Sequence, residues 1–125
     1  MTGLTNLFDG IPADLPQELS QALLAAPGLR IERIVSLGHA SPEGFWYDQE
    51  AHEWVLLLAG AARLTLEGDR PIDLRPGAFL DIPARRRHRV EWTDPTRLTI
   101  WLAIHHEAGS DSGVRALADP DRGPT

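Results

Sequence analysis

Residues 75–92 read Arg-Pro-Gly-Ala-Phe-Leu-Asp-Ile-Pro-Ala-Arg-Arg-Arg-His-Arg-Val-Glu-Trp. Arg75-Pro76-Gly77 is a turn signal, Ala78 to Ile82 a short apolar strand closed by Pro83, and Arg87 to Trp92 a second strand. Alternation along the second run puts Arg86, His88 and Val90 on one face and Arg85, Arg87 and Arg89 on the other. If Val90 faces a core, His88 faces it too.

The same grammar extends in both directions. From Leu29 onward, short apolar runs recur at intervals of roughly eight to twelve residues, as in an all-β sandwich or barrel. They cover Arg30 to Leu37, Gly44 to Tyr47, Glu53 to Leu58, Ala62 to Glu67, Ile72 to Leu74 and Leu98 to His105, besides the two runs above. Ala62, Leu64 and Leu66 alternate with Arg63, Thr65 and Glu67, which predicts one buried and one wet face. Val55 to Ala59 and Thr99 to Ile104 are apolar on both faces, so both strands need cover on each side, from a helix or from a second subunit; a homodimer is expected.

Ahead of these runs, Asp14-Leu15-Pro16 resembles a helix N-cap with proline in the first turn. Leu15, Leu19, Leu23 and Ala26 follow at helical spacing, and Pro27-Gly28 ends the run. The predicted organisation is therefore an N-terminal segment with one α-helix over 1–28, packed on a β-barrel over 29–106. An irregular tail follows over 107–125.

Composition narrows the chemistry. A chain of 125 residues, 42% hydrophobic, suits one core. Its net charge of −6 disfavours nucleic acid and anionic membranes as partners. All 12 basic residues are arginine, which excludes a Schiff-base or P-loop lysine, and the absence of cysteine excludes thiolate metal sites and a cysteine nucleophile. Any metal must use His, carboxylate or amide ligands. No basic residue precedes Arg30, and the apolar run Trp54 to Ala62 is well short of the ~20 residues that span a bilayer, so a cytoplasmic protein is expected.

With Gly77, Pro83 and His88 at these spacings, the chain resembles the cupin family, whose second motif runs Gly, five residues, Pro, one residue, Gly, two residues, His, three residues, Asn. Arg85 stands at the second glycine and Trp92 at the asparagine. Of the first motif, Glu53 and Gly60 fit, while its two histidines fall on Tyr47 and Gln49 if one gap is short, or on Trp46 and Asp48 if it is long. The resemblance implies a single jelly-roll barrel with one divalent transition metal (Fe, Mn, Zn or Ni) at its mouth. His88, Glu53 and a third ligand from Asp48 or Gln49 would hold it. It further implies a small-molecule substrate met by Tyr47, Arg86 and Trp92, with Tyr47 and His88 as catalytic groups. Oxygenase, isomerase, lyase and decarboxylase chemistry are all compatible with the fold.

Each residue also has a plainer role. His88 can be a hydrogen-bonded core histidine, and Glu53 can pair with Arg86. The arginines of 85–89 can guard a strand edge rather than draw an anionic substrate to the mouth. His105 and His106 face opposite ways, so one of them can look inward and replace a missing ligand, although both are expected to close the strand at the surface; His52 is expected at the surface or an interface, and the aromatic residues chiefly in the core. A metal-free ligand-binding or sensing module is the alternative to an enzyme.

Overall fold

The computed structural model describes residues 3–107, which form eight β-strands and no helix. The strands are β1 (Leu19–Ala26), β2 (Leu29–Ser36), β3 (His52–Ala59), β4 (Ala62–Leu66), β5 (Ile72–Leu74), β6 (Phe79–Ile82), β7 (His88–Thr93) and β8 (Thr99–His106). They build a five-stranded sheet in the order β1-β2-β8-β3-β6 and a three-stranded sheet in the order β5-β4-β7. Every ladder is antiparallel. The expected tail falls mostly on residues 108–125, outside the described residues.

Between the sheets lies one apolar core of Val55, Leu57, Ala62, Leu64, Leu74, Ile82, Trp101 and Ala103. Period two explains who contributes. On β4, Ala62, Leu64 and Leu66 are buried, as their alternation requires. On β3, Glu53, Val55 and Leu57 turn inward. The opposite face of that sheet carries the half-buried Trp54, Leu56, Leu102 and Ile104, the second apolar face noted in the sequence.

The expected N-terminal helix is not formed. Leu19–Ala26 is instead an edge strand paired with β2, from Leu19↔Val35 to Ala26↔Leu29. A lone helix of this length is marginal in water, whereas β2 offers a row of backbone groups that must find partners. Pro27-Gly28, which would stop a helix, serves equally as the hairpin turn, with Gly28 at φ +72°. A register shift between Ala22 and Leu24 leaves Leu23 and Leu24 both about half exposed.

Gly44 to Tyr47, expected as a strand, is a loop anchored by one bridge, Tyr47↔His88. In the quoted stretch, the Ala78 amide donates to the Arg75 carbonyl at 2.9 Å and Gly77 sits at φ +95°, so Pro76-Gly77 forms a type II turn.

Candidate functional site

The space between the sheets opens at one end into a cavity of about 290 Å³. Its floor is apolar, made of Val55, Leu64, Ile82, Val90 and Trp101, with Ile34 beside them; its polar walls come from two groups of residues. Tyr47, Gln49, Glu53 and His88 form the first. Glu18, Ser20, Arg30, Glu32 and His105 form the second.

In the first wall, Glu53 enters from the start of β3 and His88 from the start of β7, and both are buried. His88 Nε2 lies 3.3 Å from Glu53 Oε1. His88 Nδ1 is 2.9 Å from the Arg86 carbonyl, which can only accept, so Nδ1 carries a proton. In neutral His88 the Nε2 lone pair therefore points at a carboxylate oxygen. Glu53 Oε1 has no hydrogen bond despite the contact, and the buried Gln49 Oε1 has no partner either. Acceptors gathered in this way need a proton or a cation among them. Burial pulls the His88 pKa down, but the Glu53 carboxylate and the Arg86 carbonyl outweigh it and leave it raised.

The Tyr47 ring stacks on the His88 imidazole, with centroids 5.3 Å apart and planes 22° from parallel. The Tyr47 amide donates to the His88 carbonyl at 2.7 Å, and the His88 amide donates back to the Tyr47 carbonyl at 3.1 Å. Burial, with the charges of Glu18 and Glu53, raises the phenol pKa, so the hydroxyl stays a donor.

The two gap lengths left open by the sequence are separated by this backbone bridge. Tyr47 and Gln49 line the cavity, whereas Trp46 and Asp48 do not. Trp46 lies under the guanidinium groups of Arg87 and Arg89, 5.7 and 5.8 Å from its ring centroid. Asp48 pairs with Arg85 Nε at 3.1 Å. Arg85 keeps the left-handed conformation (φ 64°) at the position where the motif has glycine, and its amide donates to the Gln49 carbonyl at 2.7 Å. Asp48 is thus placed to steady the Gln49 backbone from outside.

Two expected substrate contacts do not reach the cavity. Arg86 precedes β7, so strand alternation does not govern it; its guanidinium meets Asp69 at 2.8 Å and its carbonyl serves His88. Trp92 is 41% exposed, because the ladder to β4 slips between Arg63 and Leu64 and Glu91 is left over as a bulge. Beyond that bulge Thr93, not Trp92, turns inward.

Of the second wall, only an inward histidine from the His105-His106 pair was among the alternatives the sequence offered. His105, expected at the surface, lines the cavity with Nε2 2.8 Å from Glu32 Oε1, while the Ser20 hydroxyl donates to Glu32 Oε2 at 3.1 Å. The Ser36 hydroxyl donates to Glu18 Oε1 at 3.1 Å. Burial, opposed by Ser36 and His39, raises the Glu18 pKa, helped by Glu53 and Glu32. The sequence signals were that alternation turns one of His105 and His106 inward and that Arg30, Glu32 and Ile34 share a face of β2. His52 faces elsewhere, with Nδ1 accepting from the Ala84 amide at 2.9 Å.

No group of three or more His, Asp or Glu side chains is arranged to hold a metal among the described residues. A divalent ion would instead have His88 Nε2, Glu53 Oε1 and the amide oxygen of Gln49. That nitrogen and oxygen set suits iron, manganese, nickel or zinc, and the two unpartnered oxygens fit the requirement for a cation.

Comparison with known proteins gives a consistent picture. The cupin domain profile matches residues 35–105. A crystal structure from Ralstonia eutropha JMP134, of a protein named as a candidate mannose-6-phosphate isomerase, superposes with a TM-score of 0.82 at 49% identity, over 86% of this chain and 100% of that one. A cupin superfamily protein from Desulfitobacterium hafniense DCB-2 gives a TM-score of 0.65 at 26% identity, over 78% and 84% of the two chains. An RmlC-like cupin from Methanocaldococcus jannaschii shares the fold at 16% identity, with a TM-score of 0.62 over 78% and 87%. No curated protein matches. Among the described residues, no helix is long and apolar enough to cross a membrane.

Proposed function

The chain belongs to the cupin domain family, and from that premise we propose that it is a cytoplasmic small-molecule enzyme binding one divalent metal through His88, Glu53 and Gln49. The reading is carried by one observation, His88 Nε2 lying 3.3 Å from Glu53 Oε1, an oxygen with no hydrogen-bond partner. Among the reactions open to the family, isomerisation by proton transfer is favoured by the name of the 49% identical Ralstonia protein. When bound, the metal supplies Lewis acidity to polarise a carbonyl or hydroxyl of the substrate. The Arg86 carbonyl fixes the His88 tautomer, and Tyr47 offers a protonated hydroxyl to the same cavity. The apolar floor excludes water beneath the reacting group.

We further propose a homodimer, joined through the outer face of β3 and β8, where Trp54, Leu56, Leu102 and Ile104 lie side by side.

A metal-free ligand-binding cupin is the second reading. A doubly protonated His88 would make the Glu53 contact an ion pair without any cation, and its raised pKa favours that form. Elemental analysis of protein purified without added metal separates the two. Stoichiometric metal that is lost in His88→Ala and Glu53→Ala, both still folded, supports the enzyme. A parent protein that takes up no metal even when it is supplied overturns that reading.

A further inference from the structure

We propose that Glu18 is the catalytic base of the cavity, the residue that carries the substrate's carbon-bound proton, with the Tyr47 hydroxyl relaying the oxygen-bound one. The assignment rests on the reading above that the chain is an isomerase working by proton transfer, and adds the group that moves the proton.

Such a base must line the cavity, stand clear of the metal donors and keep a lone pair that no other group engages. His88 and Glu53 are the donors already assigned to the metal. Arg30 can only donate, and the raised pKa of Tyr47 keeps its phenol protonated. Glu32 is engaged on both oxygens: Oε1 meets His105 Nε2 at 2.8 Å and Arg30 Nη2 at 3.5 Å, and Oε2 accepts from the Ser20 hydroxyl at 3.1 Å. The same contact ties His105 to that wall.

Glu18 meets all three demands. It lines the cavity, and among the described residues no three His, Asp or Glu side chains are arranged to hold a metal, so it does not complete such a group with His88 and Glu53. Its Oε1 accepts from the Ser36 hydroxyl at 3.1 Å; among the described residues no side chain donates to Oε2.

The fold fixes this carboxylate from both sides. Glu18 directly precedes β1, whose pairing opens at Leu19↔Val35, and Ser36 is the next residue along β2 and fully buried. The segment leading to Glu18 is itself anchored, because the buried Arg33 donates through Nη1 to the Leu7 and Asp9 carbonyls at 2.8 and 2.6 Å. After burial, the charge of Glu18 is the next cause of the raised Tyr47 pKa, ahead of Glu53, which sets the two proposed proton carriers within reach of one substrate. Partial burial is also the largest cause raising the Glu18 pKa; it makes the carboxylate a stronger base and does not depend on a cation beside Glu53.

The step balances for a carbonyl compound with a hydroxyl on the next carbon. Glu18 takes the proton from the hydroxyl-bearing carbon, the bonding pair forms a carbon–carbon double bond, and the carbonyl pair moves onto its oxygen. Tyr47 gives its proton to that oxygen and takes one from the neighbouring hydroxyl. The second oxygen then forms the new carbonyl, and the double-bond pair takes the proton from Glu18 at the first carbon. No oxidant or reductant is needed.

The test is deuterium wash-in followed by NMR. Metal-supplemented protein is incubated in heavy water with a panel of free aldoses and ketoses and their monophosphates. Glu18 is open to solvent at the mouth, so the proton it holds exchanges with water, and the isomerised product of at least one member should carry deuterium on the carbon that receives it. Glu18→Gln should slow the conversion about 100-fold or more, with KM little changed and metal content equal to that of the parent. Glu18→Asp, which keeps the carboxylate, should fall between the two. Conversion that survives in Glu18→Gln overturns the assignment, as does product without deuterium; loss of metal in Glu18→Gln would make Glu18 a metal donor and overturns it too. A parent that holds its metal and converts no member of the panel overturns the isomerase reading, and the assignment with it. Circular dichroism of both variants confirms that they are folded.

Discussion

Glu53 of β3 lies directly opposite His105 of β8 in the antiparallel ladder, and both side chains turn into the cavity. This register sets two imidazole–carboxylate contacts side by side, His88 with Glu53 at 3.3 Å and His105 with Glu32 at 2.8 Å. The four residues come from β7, β3, β8 and β2, so only the closing of both sheets brings them together.

Gln49 and Asp48 are adjacent in sequence but opposite in orientation, and their substitutions should separate cleanly. Gln49→Ala removes one of the three proposed metal donors and should weaken metal affinity by about 100-fold or more. Asp48→Ala removes only the ion pair that braces Arg85, and should cost about tenfold at most. Titration with a competing chelator measures both; equal losses would contradict the orientation of this loop.

Gly60 joins β3 to β4 at φ +83°, and an added Cβ would lie 2.6 Å from the Leu98 carbonyl oxygen and the Thr99 Cα, and closer still to Thr99 Oγ1. Thr99 cannot yield, since it is fully buried and its hydroxyl donates to the Ala61 carbonyl. Gly60→Ala should lower stability by about 3 kcal/mol or more. Gly68→Ala has a similar φ of +89° and open space around it, so about 1 kcal/mol is expected. Urea unfolding of the two variants provides the comparison.

Asp94 closes the turn between β7 and β8. Its Oδ1 accepts from the Thr96 amide and hydroxyl, both at 2.8 Å, and its Oδ2 from Arg97 Nε at 3.0 Å. The Thr96 amide, then the Thr96 hydroxyl and Arg97, lower its pKa from 3.8 to about 2. Because the folded value lies below the unfolded one, the stabilisation is complete above about pH 4 and fades as pH falls toward 2. Asp94→Asn should therefore be less stable than the parent at neutral pH, with the difference shrinking through that acidic interval. A constant difference from pH 6 to pH 2 in urea titrations would contradict the assignment.

Trp54 stands on the outer face of the larger sheet, its ring 5.4 Å from that of Phe79. If this face joins two copies, Trp54→Glu should convert the dimer to monomer in sedimentation measurements while metal content is unchanged. Burying a charge there without a partner costs several kcal/mol per copy. A dimer that persists would place the interface elsewhere.

The sequence carried the architecture because strand burial is a local, period-two property. Ala62, Leu64 and Leu66 announced their own orientation, and the Gly77, Pro83 and His88 spacing marked the turn, strand and inward imidazole that were found. It failed where the outcome depended on distant partners. Leu19–Ala26 has the spacing of a helix, and only the unpaired edge of β2 makes it a strand. Trp92 shares a parity with His88, and only the slip against β4 turns it outward.

From its amino acids alone, then, this protein determined an all-β barrel with Glu53 and His88 as the polar residues of inward faces, because alternating polarity fixes which side of a strand meets the core. Tertiary structure alone decided that Tyr47 and Gln49, rather than Trp46 and Asp48, face the cavity, and that Glu32 and His105 complete it. Those choices rest on hydrogen bonds between strands far apart in the chain, and shifting a strand by one residue reverses every side chain it carries.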